Sequence, residues 1–168
     1  MIIKSVKGVG VVASALIILA GGGLFYAAKS FPSETSSGIN YFKGSWVVRI
    51  RDNPKLSFNW TVKEDLQGGW LSGVVERNGE KITNDFWRAG GKKIERFAFT
   101  TGGTFVRVES PGWESNRLVL GGTMNDGAAE TRIRETITRV NDRQFYALWE
   151  RQDADGKWVT FADEICTR

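Results

Sequence analysis

Hydrophobic residues fall in two regimes along this chain. Val9–Ala28 runs for 20 residues without a charge, and from Gly44 onward apolar and polar positions alternate in short runs broken by glycine, asparagine and aspartate. The first regime predicts one membrane-length helix, because a helix rises about 1.5 Å per residue and the hydrocarbon core needs roughly 20 residues. The second predicts strands throughout. Turn signals recur at Asn78-Gly79, Gly90-Gly91, Gly102-Gly103, Asn125-Asp126-Gly127, Asn141-Asp142 and Asp155-Gly156. Such spacing makes consecutive hairpins, about ten strands in an antiparallel meander, and a meander of that size closes most naturally into a barrel. No window after the leader holds a helical period longer than a turn near residues 39–43.

The turns also predict register. With Asn78-Gly79 as a two-residue loop, Arg77 faces Glu80; Leu71, Val75, Ile82 and Phe86 share one face, while the other pairs Glu76 with Lys81 and Trp70 with Trp87. The first face is the expected core. Carried through Gly90-Gly91 and Gly102-Gly103, the same rule gives an outer charge ladder Asp85–Arg96–Glu109 and turns Phe97, Phe99, Val106 and Val108 inward. The Asn141-Asp142 and Asp153–Gly156 turns put Ile133, Ile137, Leu148, Val159, Phe161 and Ile165 on the inner face, with Arg132, Arg134, Phe145 and Trp149 opposite. That inner face also collects Asn84, Arg88, Glu95, Glu135, Tyr146, Glu150 and Asp163, and a dry core tolerates such groups only when they are paired, wet or at the rim. Trp60 is expected inside with Leu56, Phe58 and Val62.

The leader sets the expected compartment. Lys4 and Lys7 precede the apolar run, which reads as an uncleaved signal anchor or as a cleaved signal peptide; Ala28 and Ser30 would place a cut before Phe31. Leu19-Ala20-Gly21-Gly22 has the form of a lipoprotein box with glycine where the lipidated cysteine belongs, so lipid attachment there is excluded. The flanking lysines keep the N-terminus cytoplasmic. The domain then sits outside the cytoplasm, on a single inner-membrane span or free in the periplasm after cleavage. Gly10 and Gly21-Gly22-Gly23 argue against a buried core helix. The chain thus divides into a leader over 1–30, a Ser-rich linker over 31–42 and a barrel over 43–168.

Composition narrows the chemistry. With 41% hydrophobic and 12% aromatic residues the chain has material for a core, so disorder is not expected. Lys4, Lys7 and Lys29 account for three of the 23 basic residues, leaving 20 against 19 acidic ones. A nearly neutral folded part with no basic run argues against a nucleic-acid partner. The chain has no histidine, which excludes a His-ligated haem, a His-containing zinc site and any Ser-His or Cys-His nucleophile pair. Cys166 is the single cysteine, so no intramolecular disulfide can form. Asp153-Ala154-Asp155-Gly156 opens like a calcium loop but lacks the distal glutamate, and it is expected to be a hairpin turn. No cofactor and no metal are expected.

Gly44-Ser45-Trp46 opens the first predicted strand, and a Gly-x-Trp there followed by a meander resembles the lipocalin and calycin superfamily. The chain is also similar to bacterial lipocalin-like families of unknown function, in its opening tripeptide, the Ser110-Pro111-Gly112-Trp113-Glu114 loop and the closing Asp155-Gly156 hairpin. The resemblance implies a calycin-like barrel with Trp46 packed at its closed end under a basic residue, with Arg139, Arg151 and Arg168 as candidates. Related ten-stranded haem-binding barrels use a histidine that this chain lacks, so haem binding does not carry over.

The same resemblance implies a small hydrophobic or amphipathic ligand inside the barrel. Residues expected to hold it are Arg88, for a carboxylate head group, with Glu95, Phe97, Phe99, Glu135, Tyr146 and a covering Trp113; the competing reading pairs Arg88 with Glu95 as a structural contact. Two other functions stay open. One is an envelope adaptor that docks a protein partner through an outward Trp70–Trp87 pair. The other is a cofactor-free isomerase or hydratase using Glu95, Glu135, Tyr146 and Asp163 as its acid–base set.

Overall fold

Hairpin follows hairpin from Gly44 to Thr167, and the last strand returns to pair with the first. The computed structural model describes residues 38–90 and 93–168. The strands are β1 (Gly44–Ile50), β2 (Asn53–Asp65), β3 (Trp70–Arg77), β4 (Glu80–Gly90), β5 (Lys93–Thr100), β6 (Phe105–Ser110), β7 (Trp113–Glu114), β8 (Arg117–Asn125), β9 (Glu130–Asn141), β10 (Gln144–Gln152) and β11 (Trp158–Thr167). Pairing of β6 with β8 and of β1 with β11 closes the sheet, so ten antiparallel strands form the ring and the two-residue β7 lies beside β8. Closure leaves no long unpaired edge among the described residues. The anticipated leader helix lies outside the described residues, and among those no helix is long and apolar enough to cross a membrane.

The two ends differ. The turns that join β1 to β2, β3 to β4, β5 to β6, β8 to β9 and β10 to β11 lie at one end. At the other, a 3-10 turn over Gly38–Phe42 folds into the barrel, with Phe42 fully buried against Trp87, Trp60 and Phe145. The compact unit therefore takes in residues 38–42, which sequence alone assigns to a linker. Trp46 is buried here and its indole donates to the Phe42 carbonyl at 2.7 Å. Of the three candidate arginines, Arg168 covers Trp46, its guanidinium 4.1 Å from the ring, and it donates to the carbonyls of Lys43 (2.6 Å), Tyr41 (3.2 Å) and Asp142 (2.8 Å). Arg139 instead lies between Tyr41 and Trp113, at 3.9 and 4.5 Å from their rings. Burial pushes the Tyr41 hydroxyl up to about 12, against the pull of Arg139 and Arg168.

Register departs from expectation at identifiable points. Asn78-Gly79 is the anticipated two-residue turn, both residues at positive φ, and Arg77 faces Glu80. One step further, Glu76 faces Lys81 but Val75 faces Thr83, so Ile82 has no partner. This β-bulge moves every later side chain of β4 to the opposite face. Asp85 and Trp87 consequently point inward and are fully buried, while Asn84, Phe86 and Arg88 point outward. The slip carries into β5, where Ile94, Arg96 and Ala98 are inside and Glu95, Phe97 and Phe99 outside. The β5–β6 loop then has three residues, Thr101-Gly102-Gly103, rather than two, which returns Val106 and Val108 to the interior. The expected outer ladder Asp85–Arg96–Glu109 therefore does not exist; Glu109 pairs outside with Lys93 at 2.8 Å, and Trp70 lies outside, opposite neither Trp87 nor any inward residue.

The β9–β10 turn is Asp142-Arg143, set by the Asn141 side chain accepting the Arg143 amide proton at 2.8 Å, and Val140 is bulged. Phe145, Ala147 and Trp149 thereby face inward, and Tyr146, Leu148 and Glu150 outward, reversing the expected assignment. On β11, Glu164 and Cys166 face the interior, whereas Asp163 and Ile165 do not. The turn after β10 is the plain hairpin expected: the Asp153 carboxylate accepts the amides of Asp155 and Lys157, each at 2.9 Å.

Candidate functional site

A polar layer crosses the barrel interior. Asp85 (β4), Arg96 (β5), Glu135 (β9) and Glu164 (β11) supply its charges, and Trp60 (β2), Trp87 (β4) and Trp149 (β10) pack around them. The buried Asp85 carboxylate accepts the Trp60 indole at 3.1 Å and the Trp87 indole at 2.8 Å. It also accepts Arg96 Nε at 3.1 Å, with Nη2 at 3.0 Å. Arg96 Nη1 donates to Glu135 at 2.6 Å. The guanidinium lies 4.7 Å from the Trp87 ring and 5.1 Å from that of Trp149. Gly73 on β3 makes room for this layer: a Cβ there would meet an Asp85 oxygen at 1.8 Å. A glycine inside a strand marks such a close approach.

Charge in the layer does not balance. Burial disfavours the Arg96 cation, but Glu135 and Asp85 outweigh it and hold its pKa above the ordinary guanidinium value. Burial pushes the Glu135 carboxyl up, opposed by Arg96. Glu164 has no cation within ion-pair distance among the described residues. Burial, reinforced by the Glu135 charge and only partly offset by Arg96, pushes its carboxyl up to about 7. Burial also pushes the Cys166 thiol up, so it is protonated and a poor nucleophile.

Between this layer and the end that carries the β3–β4 and β5–β6 turns lies a cavity of about 370 Å³. Val48, Phe58, Val106, Met124, Ile133 and Phe161 give it an apolar wall, Thr83, Thr100 and Thr104 line it toward the rim, and Arg96, Glu135 and Glu164 form its polar base with Trp149. The closed end lies on the far side of that base. No protein-family model and no curated protein matches this chain. The chemistry of the cavity is therefore read from its own residues.

Of the residues nominated from sequence, Glu135 lies in the cavity. Arg88 and Glu95 form an ion pair on the outer surface, with Arg88 over the Trp70 ring. Phe97 and Phe99 lie on the same outer surface, Phe99 exposed against Phe105. Tyr146 faces outward beneath Arg51, which also pairs with Asp163. Trp113 covers the closed end rather than the cavity mouth, its indole donating to the Gly38 carbonyl at 3.1 Å. The nominated acid–base set is not brought together, since Glu95, Tyr146 and Asp163 are all on the outside. Asp85, Arg96 and Glu164, the residues that do meet, were not nominated; glycine at position 73 and two inward indoles needing an acceptor were the available signals.

Two expected results follow from these placements. Arg88→Leu removes an exposed pair and should change stability by no more than about 1 kcal/mol in urea unfolding; a larger loss would place Arg88 inside. Glu164 has a folded pKa of about 7, above its ordinary value of 4.5. Between those values the folded chain keeps a proton that the unfolded chain has released. The stabilisation is therefore complete below pH 4.5 and is lost as pH rises to about 7. Unfolding midpoints across this range should fall with pH, and less steeply in Glu164→Gln; an equal slope in the variant would exclude Glu164 as the titrating group.

Proposed function

We propose that this protein is a lipocalin-like carrier or sensor, exported and held at a membrane by residues 9–28, with a small hydrophobic or amphipathic molecule bound in its barrel. The observation that supports this reading is the cavity of about 370 Å³ with apolar walls and a polar base, within the size range of small-molecule sites. The Trp46–Arg168 packing at the closed end supports the lipocalin likeness, since a basic residue over the tripeptide tryptophan is what the resemblance implies. In this reading Arg88, paired with Glu95 on the outer surface, takes no part, and the polar contacts come from the base of the cavity.

Native mass spectrometry of the full-length chain purified from its own envelope, with organic extraction of what co-purifies, tests this. A stoichiometric small-molecule adduct that disappears when Ala98 is enlarged to Trp is expected. A clean apo mass across preparations would overturn the carrier reading. A second reading, a cofactor-free isomerase or hydratase, draws on one specific feature: a cavity carboxyl with its pKa near neutrality suits a general acid–base.

A further inference from the structure

Three carboxylates and one guanidinium meet at the base of the cavity, and the guanidinium is already committed. Arg96 directs Nε and Nη2 at Asp85 and Nη1 at Glu135, so its charge is already opposed by two carboxylates. The remaining group is Glu164, half-buried, lining the cavity and without a cation within ion-pair distance among the described residues. It sits on β11 opposite Ala147 and diagonally across from Trp149, whose side chain hydrogen-bonds the carboxyl. An anionic head group would enter a field already negative, whereas a cation would meet a carboxylate that has a hydrogen bond from Trp149 but no ion-pair partner among the described residues.

We propose that the cavity is selective for a cationic amphiphile, an alkyl or arylalkyl amine whose ammonium group pairs with Glu164 beside Trp149 while its apolar part fills the space between Phe58, Val106, Met124 and Phe161. This rests on the carrier reading above and specifies its ligand class. The charged and titratable groups around Glu164 are Glu135 on β9, Arg96 on β5, and Asp163 and Cys166 on its own strand, with Asp85 on β4 held through Arg96. Ammonium binding favours the ionised Glu164, so it releases a proton below neutrality.

Phenylbutylamine, phenylbutanol and phenylbutanoate share one apolar body and differ in the head group. Calorimetry and tryptophan quenching with the full-length chain are expected to show the amine binding at least tenfold tighter than the alcohol, and the carboxylate weakest. At about pH 6, repeating the titration in two buffers of different ionisation heat should show proton release with the amine only. In Glu164→Gln the amine's advantage should shrink to about twofold while the alcohol still binds, which separates loss of selectivity from loss of fold. Equal or tighter binding of the alcohol or carboxylate overturns the amine assignment and leaves the carrier reading in place. Binding of none of the three, together with a clean apo mass, overturns both.

Discussion

Arg96→Leu is expected to destabilise the fold by about 3–5 kcal/mol, the range for removing one partner of a buried ion pair. Asp85 is fully buried and keeps its two indole donors in the variant but loses the one cation it contacts among the described residues. Glu135, also buried, loses the 2.6 Å hydrogen bond that opposes the burial of its charge. Two carboxylates then remain in a low-dielectric interior beside Glu164. Glu135, whose charge Arg96 no longer opposes, would then hold a proton more readily, so the variant's stability should recover as pH falls and the deficit should be greatest above neutrality. Arg96→Lys keeps a charge but cannot reach both carboxylates with a planar fork, and it should lie between leucine and the native residue. Urea unfolding at several pH values decides the matter; a pH-independent loss below about 1 kcal/mol would mean that Arg96 is on the surface.

Gly73→Ala should cost roughly 3 kcal/mol without touching any charge. The added Cβ would lie 1.8 Å from an Asp85 oxygen and 2.5 Å from the Trp60 indole nitrogen. Overpacking alone costs about 1–3 kcal/mol, and moving the carboxylate off its indole donors adds the penalty of buried groups left unsatisfied. Gly121→Ala is the matched control: it is also a strand glycine, but a Cβ added there would meet nothing within 4 Å, and its effect should stay within about 0.5 kcal/mol. Equal behaviour of the two alanine variants would mean that Asp85 does not occupy the space above Gly73.

The architecture was legible because turns are local. Asn78-Gly79 and Asp155-Gly156 announce hairpins through residues that tolerate positive φ, and a chain of hairpins with no helical period leaves a closed barrel as the natural outcome. The site was not legible, because it depends on facing, and facing depends on bulges. Ile82 is an ordinary strand residue and nothing local marks it as unpaired. Yet it reverses β4 and β5, sending Arg88, Glu95, Phe97 and Phe99 out and bringing Asp85, Trp87 and Arg96 in. Val140 does the same to β10, which exchanges Tyr146 for Trp149. What selects these registers is tertiary: Asp85 meets Arg96 and two indole donors only in the bulged arrangement. Glu135 was assigned its face correctly because β9 needed no bulge to turn Ile133 and Ile137 inward.

The seven tryptophan indoles report on this register directly. In a proton–nitrogen correlation spectrum followed after transfer to heavy water, the Trp60 and Trp87 indole protons are expected to exchange over hours and to shift together in Asp85→Asn. The outward Trp70 and the exposed Trp158 should exchange within the dead time and stay in place in that variant. A Trp87 indole that exchanges as fast as that of Trp70 and ignores Asp85→Asn would put Trp87 on the outer surface, and the polar layer with the cavity base built on it would be contradicted.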